Sequence, residues 1–308
     1  MTPLAALGAI GRTPLLELPL PDGCRGRLLA KAEMLQPGGS VKDRTALGCI
    51  EHARGAGQLV PGQPVVEMTS GNMGAGLAVV CGVLGHRFTA YMSVGNSPQR
   101  AAMIRRLGGE VVLVDQVDGA PGQVTGADIA AAEVAAREAA TREGAYYVDQ
   151  FHNPGGPRAH ETGTAVEVWE QTGGDPDAFV ACVGSGGTLI GTGRGLKARR
   201  PDVLCLAVEP ARAAFLADGV VGDPQHLLQG SGYGSVPPFF DRSVVDGYLR
   251  VTDADAVATR SWLAQRCGLD VGFTAAANVR AATGWLQEQD RDLTVVTVLC
   301  DTGAKYPT

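Results

Sequence analysis

Short runs rich in β-branched residues alternate with Ala-rich amphipathic stretches along nearly the whole chain, and this alternation constrains the fold more than any other feature. The strand candidates are Leu28–Glu33, Pro64–Glu67, Phe88–Met92, Glu110–Val114, Ala178–Val183, Val203–Val208 and Leu293–Leu299. Between and after them lie helix-length segments, Lys42–Arg54, Asn72–Leu84, Ser97–Leu107, Gly126–Thr141, His160–Gln171, Thr188–Arg199, Asp253–Cys267 and Thr274–Gln287. Strands that each return through a helix predict parallel sheets covered on both faces. With 308 residues, and about 150 residues per domain as a prior, the pattern predicts an α/β protein of two doubly wound domains. A loop-rich interval, dense in Gly and Pro, runs from Ala213 to Asp241, and loops of that length are usually functional or mobile.

In such folds ligands sit at the carboxyl ends of strands, where loops lead into helices, so the strand-to-helix junctions carry the chemistry. The first reads Gln36-Pro-Gly-Gly-Ser-Val-Lys-Asp-Arg. Ser40 and Asp43 have capping-box spacing, which predicts a helix from Ser40. Lys42 then falls in the first turn, where the helix macrodipole disfavours a cation. It is either an ordinary solvated lysine or an amine kept neutral by that field, and neutral amines form Schiff bases. The second junction, Val65-Val-Glu-Met-Thr-Ser-Gly-Asn-Met-Gly, puts Thr69, Ser70 and Asn72 together at a helix start. One of them would suffice as a cap; three offer a place for a carboxylate.

The third junction, Ala181-Cys-Val-Gly-Ser-Gly-Gly-Thr-Leu, is a glycine-rich turn with the hydroxyls of Ser185 and Thr188, and it suits a phosphate cradle or a plain tight turn. It is not the dinucleotide fingerprint, because Leu189 stands where the third glycine is needed, and no Gly-Lys-Ser/Thr makes it a Walker loop. A fourth junction enters a helix at Thr274, by itself only a helix cap.

Composition narrows the class. Of 308 residues 43 are glycine, about twice the usual ~7%, without a collagen period. Net charge is −6, so no basic excess supports a nucleic-acid partner. The apolar stretch Ala75 to Gly85 is well short of the ~20 residues a bilayer span needs, and the N-terminus lacks the positive lead of a secretory signal. Seven widely spaced cysteines without a C-x-x-C pair fit buried free thiols in a reducing, cytoplasmic setting rather than a disulfide scaffold. Neither they nor the five histidines have metal-ligand spacing, and no metal is expected.

Taken in order, these junctions resemble the cysteine synthase family, the O-acetylserine sulfhydrylases and their cystathionine β-synthase relatives, pyridoxal-phosphate enzymes of fold type II. The likeness runs from Ile10-Gly-Arg-Thr-Pro-Leu-Leu to Cys300-Asp-Thr-Gly-Ala-Lys-Tyr. The resemblance implies pyridoxal 5′-phosphate held between a smaller domain, 35–148, and a larger one, 13–34 plus 149–308. By the same resemblance Lys42 carries the cofactor as an imine and Asn72 bonds its 3′-oxygen. Gly184, Ser185, Gly186, Gly187 and Thr188 hold its phosphate, and Thr274 faces the pyridine nitrogen. Thr69, Ser70, Gly71, position 73 and Gln150 would meet the substrate carboxylate, with Gly230 near the ring at the active-site mouth and Tyr233 beside the entry.

The implied reaction is β-replacement on O-acetylserine or O-phosphoserine. Lys42 removes the Cα proton, the leaving group departs to give an α-aminoacrylate, and sulfide or another sulfur donor adds at Cβ to form L-cysteine. A homodimer is implied as well. Three places depart from the family pattern: Met73 for a threonine, Ala275-Ala276 for Ser-Gly, and Gly163-Thr164-Ala165-Val166 for Thr-Gly-Pro-Glu. Met73 keeps open a synthase of β-substituted alanines that uses a non-sulfide nucleophile in specialised metabolism. A β-eliminating lyase shares the same intermediate, and a cofactor-binding regulatory protein without catalysis is the reading from a different class.

Overall fold

The computed structural model describes residues 6–120 and 122–306. Its strands in chain order are β1 (Leu15–Leu18), β2 (Arg27–Lys31), β3 (Val65–Met68), β4 (Phe88–Ser93), β5 (Glu110–Val114), β6 (Tyr146–Tyr147), β7 (Ala178–Cys182), β8 (Leu204–Pro210), β9 (Gly247–Val251) and β10 (Thr294–Val298). The helices are α1 (Lys42–Gly55), α2 (Asn72–Leu84), α3 (Pro98–Arg106), α4 (Gly126–Glu143), α5 (Gly155–Ala159), α6 (Ala165–Gln171), α7 (Gly187–Lys197), α8 (Phe215–Asp218), α9 (Asp253–Cys267) and α10 (Phe273–Gln287).

Two compact units result. One consists of Gln36–Gly156 with the residues up to Gly11; the other consists of Arg12–Leu35 with the chain from Pro157 onward. The later crossing falls at 156/157 rather than at 148/149 because the intervening loop is tied to the first unit. The Asp149 N–H donates to Glu67 at 2.8 Å, and Asn153 Nδ2 donates to the Tyr146 hydroxyl and to the Val148 carbonyl.

The first unit holds a four-stranded parallel sheet in the order β5-β4-β3-β6. β4 is buried along its whole length, as a strand covered on both faces must be. On one side α1 and α2 bring Ile50, Leu77 and Val80 against Val65 and Phe88. On the other, Ala136 and Ala139 of α4 pack with Val66 and Tyr91. The start of α4 is locked by a capping box: the Thr125 hydroxyl accepts from the Asp128 N–H, and the Asp128 carboxylate accepts from the Thr125 N–H.

The second unit holds a six-stranded sheet in the order β1-β2-β10-β7-β8-β9. All neighbours are parallel except β1, which runs antiparallel to β2 at the edge. Leu28, Val180, Leu206 and Val295 from the sheet share a core with Ala275, Ala276 and Ala282 of α10; small side chains on that helix face let its backbone approach the strands. The expected helix His160–Gln171 is interrupted. His160–Thr164 forms a π-helical turn before α6 begins, a local widening that recurs at functional sites. Among the described residues no helix is long and apolar enough to cross a membrane.

Candidate active site

In the first unit, Lys42 is the opening residue of α1. The helix starts two residues later than the cap spacing predicts, and Val41 precedes it with no side-chain cap. The reason lies in the Pro-Gly-Gly turn. The Asp43 carboxylate folds back to accept from the Gly38 N–H instead of closing a box on Ser40, and a Cβ on Gly38 would stand 2.5 Å from that carboxylate. Ser40 is left to accept weakly from the Lys42 N–H at 3.4 Å. Lys42 is half-buried, at the end of the helix where backbone N–H groups lack intrahelical partners.

α2 opens at Asn72, and Gly71 before it has φ −140° and ψ −139°, outside both the helical and the extended regions. The two helices touch through Gly76, where a Cβ would be 3.0 Å from the Lys42 carbonyl and 3.2 Å from the Asp43 Cα. That backbone contact brings the lysine helix and the Thr69–Asn72 loop into one place. Thr69 is buried, while Ser70, Gly71 and Asn72 are half-buried. Arg100 of α3 donates to the Ser70 hydroxyl at 3.2 Å and to its carbonyl at 3.4 Å. With that lone pair taken, the Ser70 proton is available to an anion. Met73 is 2% exposed, its side chain in the apolar cluster with Leu77 and Ile104, so the group it can offer a ligand is its backbone N–H. Gln150 joins this loop through Glu67: Gln150 Nε2 donates to Glu67 Oε1 at 3.2 Å.

In the second unit, β7 ends in the turn Gly184–Gly186 and α7 begins at Gly187. Gly186 has φ +88°, a left-handed conformation suited to glycine. Gly184 is needed for space, since a Cβ there would sit 2.3 Å from the Gly230 carbonyl. Ser185 is buried, and the Thr188 hydroxyl lies 3.3 Å from His160 Nε2 on the π-helical turn. This is a cradle of backbone N–H groups and hydroxyls at the start of an 11-residue helix, chemically fit for a phosphate dianion. The Gly230 loop and Thr274 belong to the same neighbourhood. Gly230 lies against Gly184, the Tyr233 hydroxyl is 4.0 Å from where a Cβ on Gly230 would be, and the Thr274 hydroxyl donates to the Gln229 carbonyl at 3.5 Å. Tyr233 is half exposed; with Gly184 and Glu209 it lines a small recess of about 10 Å³.

The structure thus gathers Lys42, Thr69–Met73 and Gln150 on one unit, and Gly184–Thr188, Gly230 and Thr274 on the other. Sequence reasoning passed over Glu67, Arg100 and His160. Glu67 could have been found as the one acid in an otherwise apolar buried strand. Burial raises its carboxyl to about 8, opposed by the hydrogen bonds from Gln150 and Asp149. Among the described residues no group of three or more His, Cys, Asp or Glu side chains could hold a metal ion.

The family model of the pyridoxal-phosphate dependent enzymes matches residues 6–301. The chain belongs to that family. Its relatives narrow the class to enzymes of the cysteine synthase type. It is 36% identical over 301 residues to O-ureido-L-serine synthase of Streptomyces lavendulae, covering 97% of this chain and 90% of the relative. It is 35% identical over 299 residues to cysteine synthase of Staphylococcus aureus (strain Mu50), covering 96% and 93%. Among solved structures, a hydrogen sulfide-producing enzyme from Fusobacterium nucleatum superposes with a TM-score of 0.90 at 32% identity, covering 98% of this chain and 97% of that one.

Proposed function

We propose that this transferase carries out β-replacement on an activated L-serine, O-acetylserine or O-phosphoserine, and that sulfide or another sulfur donor is its nucleophile, giving L-cysteine. The observation that carries the reading is Lys42 at the first residue of α1, packed through Gly76 against the helix that opens at Asn72. Pyridoxal phosphate fits the residues present. Gly184, Ser185, Gly186, Gly187 and Thr188 would hold the phosphate, Lys42 the aldehyde carbon, Asn72 the ring oxygen and Thr274 the ring nitrogen. When bound, the cofactor supplies an electron sink for the carbanion at Cα.

The remaining chemistry falls to the chain. Thr69, Ser70, Gly71, Gln150 and the backbone N–H of Met73 orient the substrate carboxylate. Lys42 takes the Cα proton as general base and later returns it. Thr274, a neutral hydroxyl, leaves the ring nitrogen without an anionic partner, which favours elimination of the leaving group over transamination. Gly230 and Tyr233 border the way in for the nucleophile. The enzyme works as a cytoplasmic homodimer in this reading, supported by its free, partly buried cysteines and by the family resemblance.

A second reading has its own support. A nucleophile other than sulfide, such as an N-hydroxyl compound, would give a β-substituted alanine. The likeness to O-ureido-L-serine synthase and the apolar side chain at Met73 favour it. One panel tests both. The protein loaded with pyridoxal phosphate is given O-acetylserine or O-phosphoserine with sulfide, and then with hydroxyurea. Sulfide-dependent cysteine formation supports the first reading, and turnover with hydroxyurea alone supports the second. Borohydride reduction and peptide mapping should label Lys42; a label elsewhere, or none, removes the basis of both.

A further inference from the structure

Glu67 is 1% exposed, in a strand whose buried neighbours are Val65 and Val66. Burying a carboxyl is costly unless its oxygens are satisfied, and both oxygens here are used on one loop. Oε2 accepts from the Asp149 N–H at 2.8 Å and Oε1 accepts from Gln150 Nε2 at 3.2 Å. The first contact holds a strained residue, since Asp149 has φ +54°, an uncommon conformation outside glycine. The second decides the direction of an amide. A glutamine side chain has a carbonyl and two N–H donors, with nothing intrinsic to say which faces a ligand. With one N–H given to Glu67, the other remains for an acceptor.

Around Glu67 stand Asp149 from the loop after β6, Tyr146 and Tyr147 of β6, and Cys49 of α1. The charge beside it is thus another acid. Arg137 of α4 reaches Asp149 at 3.4 Å and covers the Tyr147 ring. Glu67 also lies two residues before Thr69, so a single side chain ties the loop after β3 to the loop after β6.

We propose that Glu67 is the positioning residue for Gln150: by accepting from the Gln150 amide and the Asp149 N–H, it aims the remaining amide donor at the substrate carboxylate. This rests on the reading that Gln150 binds that carboxylate.

The test uses the holoenzyme and the variants Glu67→Ala, Glu67→Gln, Gln150→Ala and Glu67→Ala/Gln150→Ala. The probe is L-alanine, which keeps the amine and carboxylate but has no leaving group, and its binding is followed through the visible absorption of the cofactor. Glu67→Ala is expected to weaken L-alanine binding about 10-fold, the scale of one hydrogen bond to a charged group, with cofactor retention unchanged. The double variant should bind no more weakly than Gln150→Ala alone, because the two act through one contact. Glu67→Gln keeps one acceptor oxygen for the two donors, so it should weaken binding by less than Glu67→Ala does. Hydrogen exchange over residues 148–153 should quicken in Glu67→Ala and by less in Glu67→Gln, which can still accept from one of the two donors. Unchanged L-alanine affinity in Glu67→Ala, additive penalties in the double variant, or unchanged exchange would each overturn the proposal. If the parent enzyme itself holds no pyridoxal phosphate or ignores L-alanine, the proposed reaction falls, while the exchange data still decide whether Glu67 holds the loop.

Discussion

At the scale of single residues, the site sorts into groups that chemistry makes visible in a sequence and groups that only surroundings make meaningful. Lys42, Thr69, Ser70 and Asn72 stand out because reactive or polar side chains cluster at a strand-to-helix junction. Glu67 stands apart from such a cluster: it is the one acid inside an apolar strand, and what it holds is known only once its burial and partners are. That burial has a consequence for stability. Its folded carboxyl is raised to about 8 from an ordinary 4.5, so between those values the folded chain binds the proton that the unfolded chain has released. Stability from this group is therefore full below about pH 4.5 and is lost as pH rises through about 8. Urea denaturation at pH 6 and pH 9 should show the parent losing stability over this interval, and Glu67→Gln should lose measurably less. Equal losses in both proteins would mean that Glu67 ionises freely in the fold.

At the scale of elements, most helices and the central strands were legible because their signals are local. α2 and α9 begin and end where the pattern of apolar residues predicts, and α4 begins at the predicted Gly126 and runs two residues past the predicted Thr141. The edge strands β1, β6 and β9 were not legible, since a two-residue strand such as Tyr146–Tyr147 exists only through its pairing with Val65 and Val66. The helix broken at His160–Thr164 is similar: a π-helical turn carries no periodicity of its own. The glycine turn before α7 makes a sharper claim. Gly184→Ala would place a methyl group 2.3 Å from the Gly230 carbonyl, and the turn must shift to relieve it. Affinity for pyridoxal phosphate is expected to fall on the order of 10-fold or more, as preorganised donors lose their alignment. Gly126→Ala, at the open start of α4 where nothing lies within 4 Å, should leave that affinity unchanged. Equilibrium titration of both variants, with circular dichroism as a check on folding, decides the matter.

At the scale of the whole molecule, the seven cysteines are all free thiols, and none is exposed. Burial pushes the thiols of Cys81 and Cys205 up to about 12 and raises those of Cys49 and Cys182 well above the usual thiol range, which removes the reactive thiolate near neutral pH. A thiol reagent at pH 8 should find these four slow in the native protein, and all seven should react in denaturant without reductant. Fewer than seven in denaturant would reveal a bridge or an oxidised thiol. The sequence by itself determined the α/β alternation, the glycine turn that suits a phosphate and the lysine at the head of a helix. Each follows from residues within a few positions of one another, where dihedral preference, capping and apolar period act directly. Only the tertiary structure decided that the side chain of Met73 turns into the core, that Asp43 caps the Gly38 turn rather than Ser40, and that Glu67 holds Gln150 from 83 residues away. Those outcomes depend on which surfaces become buried together, and burial is a property of the assembled chain rather than of any segment of it.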